Sequence, residues 1–383
     1  MDPIHLFISA GDPSGERHAA RLIRSLRDMG GSPVVTGIGG EAMQAAGAEL
    51  LCTQERLAVM GLVEVVKHLP FFFSLLDRIR DHLSVHRPQL MVLIDFPDFN
   101  FRLAKIAREL GISVLYYISP QIWAWRTGRK RKLARLADRL AVVFPFEVAF
   151  YRDEDIPVEF VGHPLIGELE NVSSRESFRA EHGIEPDCPL VGLMPGSRVQ
   201  EIERHMELFL AAAGRMRACR GELRFAAGML PHTAAALAPE HRDTIERLGV
   251  KLIHGDSLGL IAASDILLTK SGTTTMEAAL LGTPMVISYR TSALSYLIAS
   301  RMVTIGHIGM PNLLDSDPAI PELIQHEVTP QRIASLALEL LDNDSTLRKR
   351  VLEQCGRVRR TLTTAKPASV RVAEIVLEMT GAG

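Results

Sequence analysis

Aromatic residues and paired cysteines are what this chain has least of. Aromatics make up only 5% of its 383 residues, and both tryptophans, Trp123 and Trp125, fall within one three-residue stretch. The four cysteines contain no Cys-x-x-Cys pair, which argues against a zinc site or a disulfide framework and favours a reducing cytosol. The formal net charge is only −2, so the composition indicates no attraction of the whole chain to nucleic acid.

Long apolar runs are also missing. Charged side chains interrupt the most apolar region, residues 61–83, whereas a membrane-spanning helix needs about 20 mostly apolar residues. The N-terminus carries an acid at position 2 and leads directly into a strand pattern, unlike a secretory signal. We therefore expect neither a membrane span nor export.

Short β-rich apolar runs alternate with helical patterns along the whole sequence. Hydrophobicity within these runs is continuous rather than alternating, which is typical of parallel strands that helices cover on both faces. The predicted fold class is α/β, with two Rossmann-like domains that face one cleft. The predicted strands are 4–10, 33–39, 90–96, 113–119, 139–145 and 158–162 in the first half, and 189–194, 223–228, 250–255, 265–269 and 284–289 in the second.

A charged, turn-rich segment separates the two series of strands and places the domain boundary near residues 162–165. The prediction is an N-terminal domain over 1–164, a C-terminal domain over 165–340 and terminal helices over 341–383. From Thr329 onward the pattern predicts helices only. Since these helices have no strand of their own, they must pack on their own domain, on the first domain or on a partner chain.

The loop formed by Pro195, Gly196, Ser197 and Arg198 joins a predicted buried strand to an amphipathic helix. A glycine turn that opens a helix leaves backbone N–H groups and the positive end of the helix dipole pointing outward, and Arg198 adds a cation beside them. The pattern predicts a phosphate site, although an ordinary strand-to-helix turn has the same outline.

A second loop, residues 270–277, follows the predicted strand 265–269 in the same way. It turns at Gly272 and carries the hydroxyls of Ser271, Thr273, Thr274 and Thr275. Glu277, in the helix after it, either accepts hydrogen bonds from a ribose diol or is a solvated surface residue. Because ligands of parallel sheets bind beyond the carboxyl ends of strands, the two loops together predict a nucleoside diphosphate site.

Asp95 ends the predicted strand 90–96 and is followed by Phe96 and Pro97. Partial burial beside aromatic side chains raises the pKa of a carboxyl group, which makes the carboxylate a better proton acceptor near neutral pH. Asp95 is therefore the candidate general base. Asp98 either caps the following helix or contacts the acceptor.

The loop 11–16 also follows a predicted strand and opens a helix. It lacks the Gly-x-Gly-x-x-Gly spacing of a dinucleotide site, and its acids, Asp12 and Glu16, would repel a phosphate. A hydroxyl-rich sugar suits it better. The candidate acceptor contacts here are Gly11, Ser14, Gly15 and Glu16.

The segment 119–139 places seven basic residues, including Arg126, close in sequence to Trp123 and Trp125. It is either a solvated basic helix face or a patch for anionic lipid head groups or a substrate phosphate. The nearby run 69–76 is too apolar all round for a simple surface helix and is either core or a membrane-docking element. Together the two segments predict docking onto a bilayer and uptake of an acyl chain, with membrane contacts at Leu69, Phe71, Phe72, Phe73, Leu75 and Leu76.

With these motifs in view, the chain resembles the bacterial lipid-A-disaccharide synthases, GT-B glycosyltransferases of the lipopolysaccharide pathway of Gram-negative bacteria. The similarity runs over nearly the whole length and is carried by SAGDPSGE, IDFPDFN, SPQIWAW, FVGHPL, PGSRVQEI and SGTTTMEAALLGTPMVISYR. The resemblance implies that UDP-2,3-diacylglucosamine donates its sugar to 2,3-diacylglucosamine 1-phosphate, giving a β-1,6-linked disaccharide and UDP. It also implies no metal or other cofactor, a cytoplasmic enzyme held peripherally at the inner membrane, and a homodimer with exchanged C-terminal segments.

Matched residue by residue, the resemblance assigns the general base to Asp95 and stabilisation of the leaving diphosphate to Arg198. It implies that UDP contacts Ser271, Gly272, Thr273 and Glu277, and that Asn312 of MPNLL lines the site. Two departures stand out. Asp12 and Glu16 exchange the acids of the family's usual AGExSGD, and Lys270 stands where a small residue is usual.

Other functions compete with this interpretation. Another GT-B enzyme, such as the muramyl-lipid N-acetylglucosaminyltransferase or a UDP-sugar 2-epimerase, would share the nucleotide loops. A nucleotide-binding module without catalysis would bind UDP and release no sugar. A dehydrogenase is the weakest alternative, because no predicted strand is followed by the required glycine spacing.

Overall fold

The structure is a computed structural model that describes residues 3–54, 57, 65–125, 127–292, 296 and 306–382, and only the backbone of residues 65–69, 125 and 171. Arg126 and the side chains of Leu69 and Trp125, all candidate site residues, therefore lie outside the described part. The chain forms two compact units: Met1–Gly167 together with Leu362–Gly383, and Glu168–Thr361.

The first unit is built on a parallel sheet. Over the described residues this sheet has seven strands in the order β3-β2-β1-β4-β5-β6-β7. The strands are β1 (Ile4–Ala10), β2 (Pro33–Gly39), β3 (Ala48–Thr53), β4 (Leu90–Ile94), β5 (Ser113–Tyr117), β6 (Arg139–Val142) and β7 (Val158–Phe160). The helices are α1 (Pro13–Asp28), α2 (Glu41–Ala45), α3 (Val65–His86), α4 (Pro97–Glu109), α5 (Ile122–Trp125), α6 (Lys130–Leu136), α7 (Pro145–Phe150) and α8 (Leu165–Glu168).

The second unit repeats this plan. Its described sheet has six parallel strands in the order β10-β9-β8-β11-β12-β13. The strands are β8 (Leu190–Met194), β9 (Arg224–Gly228), β10 (Lys251–Ile253), β11 (Ile266–Lys270), β12 (Met285–Tyr289) and β13 (Glu322–Ile324). The helices are α9 (Arg175–Glu181), α10 (Val199–Cys219), α11 (Pro231–Ala235), α12 (Pro239–Arg247), α13 (Ser257–Ala263), α14 (Thr273–Leu281), α15 (Met310–Leu313), α16 (Pro330–Leu341) and α17 (Thr346–Leu362).

Continuous apolar strands explain both sheets. All five residues of β4, Leu-Met-Val-Leu-Ile, are fully buried, as a strand covered by helices on both faces requires. The prediction of two Rossmann-like units with parallel sheets is confirmed. Over the described residues, no helix is long and apolar enough to span a bilayer.

The last helix, α18 (Ala368–Thr380), packs on α1 of the first unit. Val372, Ile375 and Val376 are fully buried, and Ser25 of α1 donates a hydrogen bond to Ser369 at 3.0 Å. The C-terminal segment therefore completes the unit that the N-terminus begins.

Both sheets have a topological switch point, where the strand order reverses. It lies between β1 and β4 in the first unit and between β8 and β11 in the second. Ligands of open parallel sheets bind at the carboxyl ends of the strands at such points. The loops after these four strands are the ones in which the sequence places its base candidate, its first sugar loop and its two phosphate loops.

Candidate active site

In the first unit, the loops after β1 and β4 touch each other. The ring of Phe96 lies so close to Gly11 that a Cβ added there would be 2.3 Å from its Cδ1 atom. Glycine is therefore required at position 11 by close approach. Asp12 caps α1, since its carboxylate accepts from the backbone N–H of Gly15 at 2.7 Å.

Asp95 is the first residue after β4, in a left-handed backbone conformation with φ 43°, and Phe96 follows with φ 48°. Such conformations cost about 1–3 kcal/mol in residues other than glycine and persist where surrounding contacts impose them. Here the contacts are visible: the Asn100 amide and the Tyr116 hydroxyl both donate to the Asp95 carbonyl oxygen, each at 2.7 Å. Asn100 is itself fully buried and accepts from Ser9 of β1 at 2.7 Å.

The side chain of Asp95 is half-buried. Desolvation is the main cause that raises its pKa to about 6; the nearby charge of Asp12 also raises the pKa, while a hydrogen bond from the Phe96 backbone lowers it. At neutral pH this group is a carboxylate whose proton affinity is well above that of an ordinary aspartate. These properties suit the general-base role proposed for it from the sequence.

Asp98 does not occupy the capping position that one interpretation of the sequence gave it. Phe96 is the N-cap of α4, because Pro97 takes the first helical position and Asp98 the second. The exposed Asp98 carboxylate accepts from the Arg129 guanidinium at 2.8 Å. Asp98 thus links this loop to the basic segment before α6.

The first loop is more enclosed than the sequence suggested. Gly11, Gly15 and Glu16 are buried, and Ser14 is half-buried. Glu16 turns inward over Gly40, where an added Cβ would lie 2.1 Å from its Oε2 atom. Of the four residues expected to contact the acceptor here, three are buried and only Ser14 is partly exposed.

The apolar run in α3 divides into core and surface. Leu75 and Leu76 are 1% and 8% exposed and belong to the core of the first unit, so the expectation that they contact a membrane is wrong. Phe71 and Phe72 pack partly against the same core. Phe73 is 54% exposed. Of the described side chains in this run, Phe73 is the one exposed enough to contact a membrane, and for it the contact stays a prediction.

Phe73 borders a cavity of about 670 Å³ between α3, α4 and α6. Six basic residues and two acidic ones surround its apolar floor, and Glu109 pairs with two of the cations: the lining comprises Arg80, Arg102, Lys105, Arg131, Lys132, Arg135, Asp77 and Glu109. The Lys132 ammonium lies 5.3 Å from the centre of the Phe101 ring.

Trp123, half-buried in α5, packs its ring edge-to-face on Phe146 at 4.9 Å.

In the second unit, the loop after β8 presents Ser197 and Arg198 to solvent, while Pro195 is buried. Gly196 has φ 125°, a conformation that favours glycine. The backbone N–H groups of Ser197 and Arg198 donate to Glu201 Oε2 at 3.1 and 3.4 Å. The expectation that these two amides are free is therefore wrong, because the helix supplies its own carboxylate as a cap.

Lys270, the residue that departs from the family pattern, pairs with this same carboxylate. Its ammonium lies 2.9 Å from Glu201 Oε1. Partial burial raises the pKa of Glu201, but the hydrogen bond and charge of Lys270 and the two loop amides outweigh it and lower the pKa below the usual value. Adjacent parallel strands, β8 and β11, bring the two loops together. The sequence signal for Glu201 is its place three residues after Arg198, at the N3 position of the helix, where a Glu side chain accepts from the N-cap N–H.

The second phosphate loop keeps part of its expected polar surface. Gly272 is the N-cap of α14, with Thr273 exposed and Thr274 half-buried in the first turn. The Ser271 hydroxyl donates to the Ile308 carbonyl oxygen at 2.9 Å. Glu277 is half-buried, one turn farther along the helix.

Asn312 does not present its side chain as expected. It is 2% exposed, and its amide donates to the Ile320 carbonyl at 2.9 Å and to Glu322 Oε1 at 2.6 Å. Its oxygen accepts from Gln354 at 2.8 Å. The side chain ties α15 to β13 and α17, so its polar atoms are already engaged within the fold.

A family model described as lipid-A-disaccharide synthetase matches residues 6–375. The lipid-A-disaccharide synthase of Nitrosococcus oceani is 40% identical over 376 residues, which cover 97% of this chain and 95% of the relative. The synthase of the same name from Geobacter metallireducens is 40% identical over 378 residues, covering 98% and 97%.

Solved structures with low sequence identity share the fold. UDP-GlcNAc 2-epimerase from Neisseria meningitidis, bound to UDP-GlcNAc, superposes with a TM-score of 0.63 at 14% identity, covering 98% of this chain and all of that one. The calicheamicin glycosyltransferase CalG4 superposes with a TM-score of 0.63 at 16% identity, covering 100% and 99%. These likenesses confirm the predicted GT-B fold.

Proposed function

Because the chain belongs to the lipid-A-disaccharide synthase family, we propose that it is the UDP-sugar glycosyltransferase that joins two diacylated glucosamines. It transfers 2,3-diacylglucosamine from UDP to the 6-hydroxyl of 2,3-diacylglucosamine 1-phosphate, and the products are the β-1,6-linked disaccharide 1-phosphate and UDP. The observation that carries the proposal is the position of the candidate base and of both diphosphate loops at the switch points of the two sheets.

The proposed mechanism is a single displacement with inversion. The acceptor O6 atom forms a bond to the anomeric carbon while the bond from that carbon to the β-phosphate oxygen breaks. The electron pair of the broken bond leaves with UDP, and the hydroxyl proton passes to the Asp95 carboxylate. Partial burial, which raises the pKa of Asp95 to about 6, makes the carboxylate basic enough to share this proton in the transition state.

On the donor side, charge develops on the departing diphosphate. The exposed guanidinium of Arg198 supplies a fixed positive charge for it, and the N-terminus of α14 supplies N–H donors. Ser197, Gly272, Thr273 and Thr274 complete the proposed cradle, with Glu277 assigned to the ribose. No metal or other cofactor takes part in this proposal, because these groups carry out the charge stabilisation.

We also propose that the enzyme works as a homodimer in the cytoplasm, held peripherally at the inner face of the inner membrane. Phe73 and the basic residues around the neighbouring cavity support this placement, because one exposed aromatic side chain beside several cations suits an anionic lipid surface.

A mass-spectrometric assay with synthetic diacylated donor and acceptor tests the function. We expect one disaccharide 1-phosphate for each UDP released, at a rate that EDTA does not change. UDP-N-acetylglucosamine without acyl chains serves as the control donor. Its conversion in the absence of an acceptor would identify an epimerase instead, and UDP binding with no sugar released from any donor would identify a binding module.

A further inference from the structure

One ion pair joins the two loops of the second unit. Lys270 is the last residue of β11, and its ammonium donates to Glu201 in the first turn of α10, which follows β8. Both side chains are 19% exposed, so the pair is shielded but still open to a ligand. A contact of this kind fixes the lysine head group relative to both loops.

The carboxylate of this pair is held from several sides. Besides Lys270, it accepts from the backbone N–H groups of Ser197 and Arg198. Its helix turn is anchored by the fully buried side chain of His205, whose Nδ1 lies 2.8 Å from the Glu201 carbonyl oxygen and whose Nε2 accepts from the Arg290 N–H at 3.2 Å. Glu201 is thus a fixed anchor for the lysine rather than a mobile partner.

The Lys270 ammonium lies close to the first turn of α14. A Cβ added to Gly272 would find the Lys270 Nζ as its nearest neighbour, at 3.6 Å. Gly272 is the N-cap of α14, so the cation lies over the opening turn of that helix. An ammonium has three N–H donors, and in the part of the chain that the structure describes Glu201 accepts one of them.

We propose that Lys270 is a diphosphate-binding residue of this enzyme: Glu201 holds its ammonium between the two loops, where its remaining N–H donors bind the diphosphate of the donor and of product UDP. This inference rests on the proposed function, because it deepens the same nucleotide site. The charges of Lys270 and Glu201 cancel each other beyond short range. The lysine therefore binds the diphosphate through short hydrogen bonds rather than through long-range attraction.

Ligand affinities test this assignment. We expect Lys270→Met to weaken UDP binding at least about tenfold, as loss of a charge-assisted hydrogen bond does, and to change UMP binding much less. Lys270→Arg should retain most of the UDP affinity. Lys251→Met is the matched control, because Lys251 binds the backbone carbonyls of His182 and Gly183 elsewhere in the same unit. Isothermal titration with UDP and UMP gives each constant.

The double variant Lys270→Met/Glu201→Gln separates binding from charge balance. The amide oxygen that Glu201→Gln introduces can still cap the loop. Because both charges of the pair are removed together, the double variant leaves no unpaired charge in the fold, and it replaces Lys270→Met if that single variant does not fold. If the lysine binds the diphosphate, UDP affinity stays low in the double variant. If the lysine only neutralises Glu201, UDP affinity returns to the wild-type value and the proposal is overturned.

Two further outcomes are decisive. Wild-type UDP affinity in Lys270→Met, with weakened binding in Arg198→Ala, would overturn the role of Lys270 and leave the proposed function standing. A wild-type protein that does not bind UDP would overturn the proposed function itself.

Discussion

Asp95 combines a strained backbone with a half-buried carboxyl group. Hydrogen bonds from Asn100 in α4 and Tyr116 in β5 to the same carbonyl oxygen hold the Asp95 backbone in this strained conformation. The backbone from which the carboxyl group projects is therefore fixed before a substrate hydroxyl meets it. The geometry is therefore suited to a base that acts on a positioned hydroxyl group.

Asp95→Asn tests this role directly. The amide has nearly the same size but cannot accept the proton, so we expect the turnover number to fall by about 10²–10⁴. UDP affinity should stay close to the wild-type value, because the diphosphate loops belong to the second unit. Steady-state kinetics and UDP titration measure the two quantities, and an equal loss of both would argue against the assignment.

The pH dependence of the reaction tests the environment of the same group. Asp95 must be deprotonated to act, and its pKa is raised to about 6, so kcat/KM should be maintained above that pH and fall as the pH drops through it. Asp12 contributes to the rise through its charge. Asp12→Asn, which keeps an oxygen for the cap of α1, should therefore move the acid limb to lower pH. An unmoved limb would show that Asp12 does not act on Asp95.

The orientations of individual side chains were the features least predictable from the sequence. Asp95 could be singled out because its place after an apolar strand and before aromatic residues determines its burial. The inward turn of Glu16 and the buried hydrogen bonds of Asn312 could not be predicted from the sequence. They depend on residues distant in sequence, such as Gly40 and Gln354. Tertiary packing decides such orientations.

At the scale of elements, strands in the middle of the sheets were the most predictable. The bounds of β1 and β2 agree with prediction residue by residue, since a seven-residue run of mostly apolar side chains and glycine marks each of them. Two edge strands, β3 and β13, were not predicted. Only Ala48 and Cys52 of β3 are buried, and β13 is only three residues long, so neither shows a continuous buried run.

The helix α3 offers a matched pair of substitutions. Phe73 is 54% exposed, whereas Leu75, two residues on, is 1% exposed. Phe73→Ser should weaken binding to vesicles that contain anionic lipid and leave the melting temperature nearly unchanged. Leu75→Ser should lower the free energy of unfolding by about 2–5 kcal/mol, as other large truncations in a core do.

Vesicle sedimentation and thermal melting distinguish the two effects. Release of the protein by Phe73→Ser with an intact cooperative melt would support a membrane contact. A collapse of the melt in that variant would show that Phe73 is part of the core, and unchanged sedimentation would remove it from the proposed docking surface.

At the scale of the whole molecule, the same strand order appears twice along one chain, and each copy places chemistry at its own switch point. At these points the first unit has a carboxylate and enclosed polar loops, while the second has cations and the N-terminus of α14. The repetition of the fold could be predicted from the sequence, because strand and loop patterns repeat after residue 189. The Glu201–Lys270 pair could not, because it joins residues 69 positions apart.

The central claim is that the second unit holds the diphosphate of the sugar donor between the loops after β8 and β11. A crystal structure of the protein with UDP tests it most directly. The account predicts the diphosphate at the first turn of α14, within hydrogen-bond distance of the Arg198 guanidinium. UDP bound elsewhere, with Arg198 directed into solvent, would contradict it.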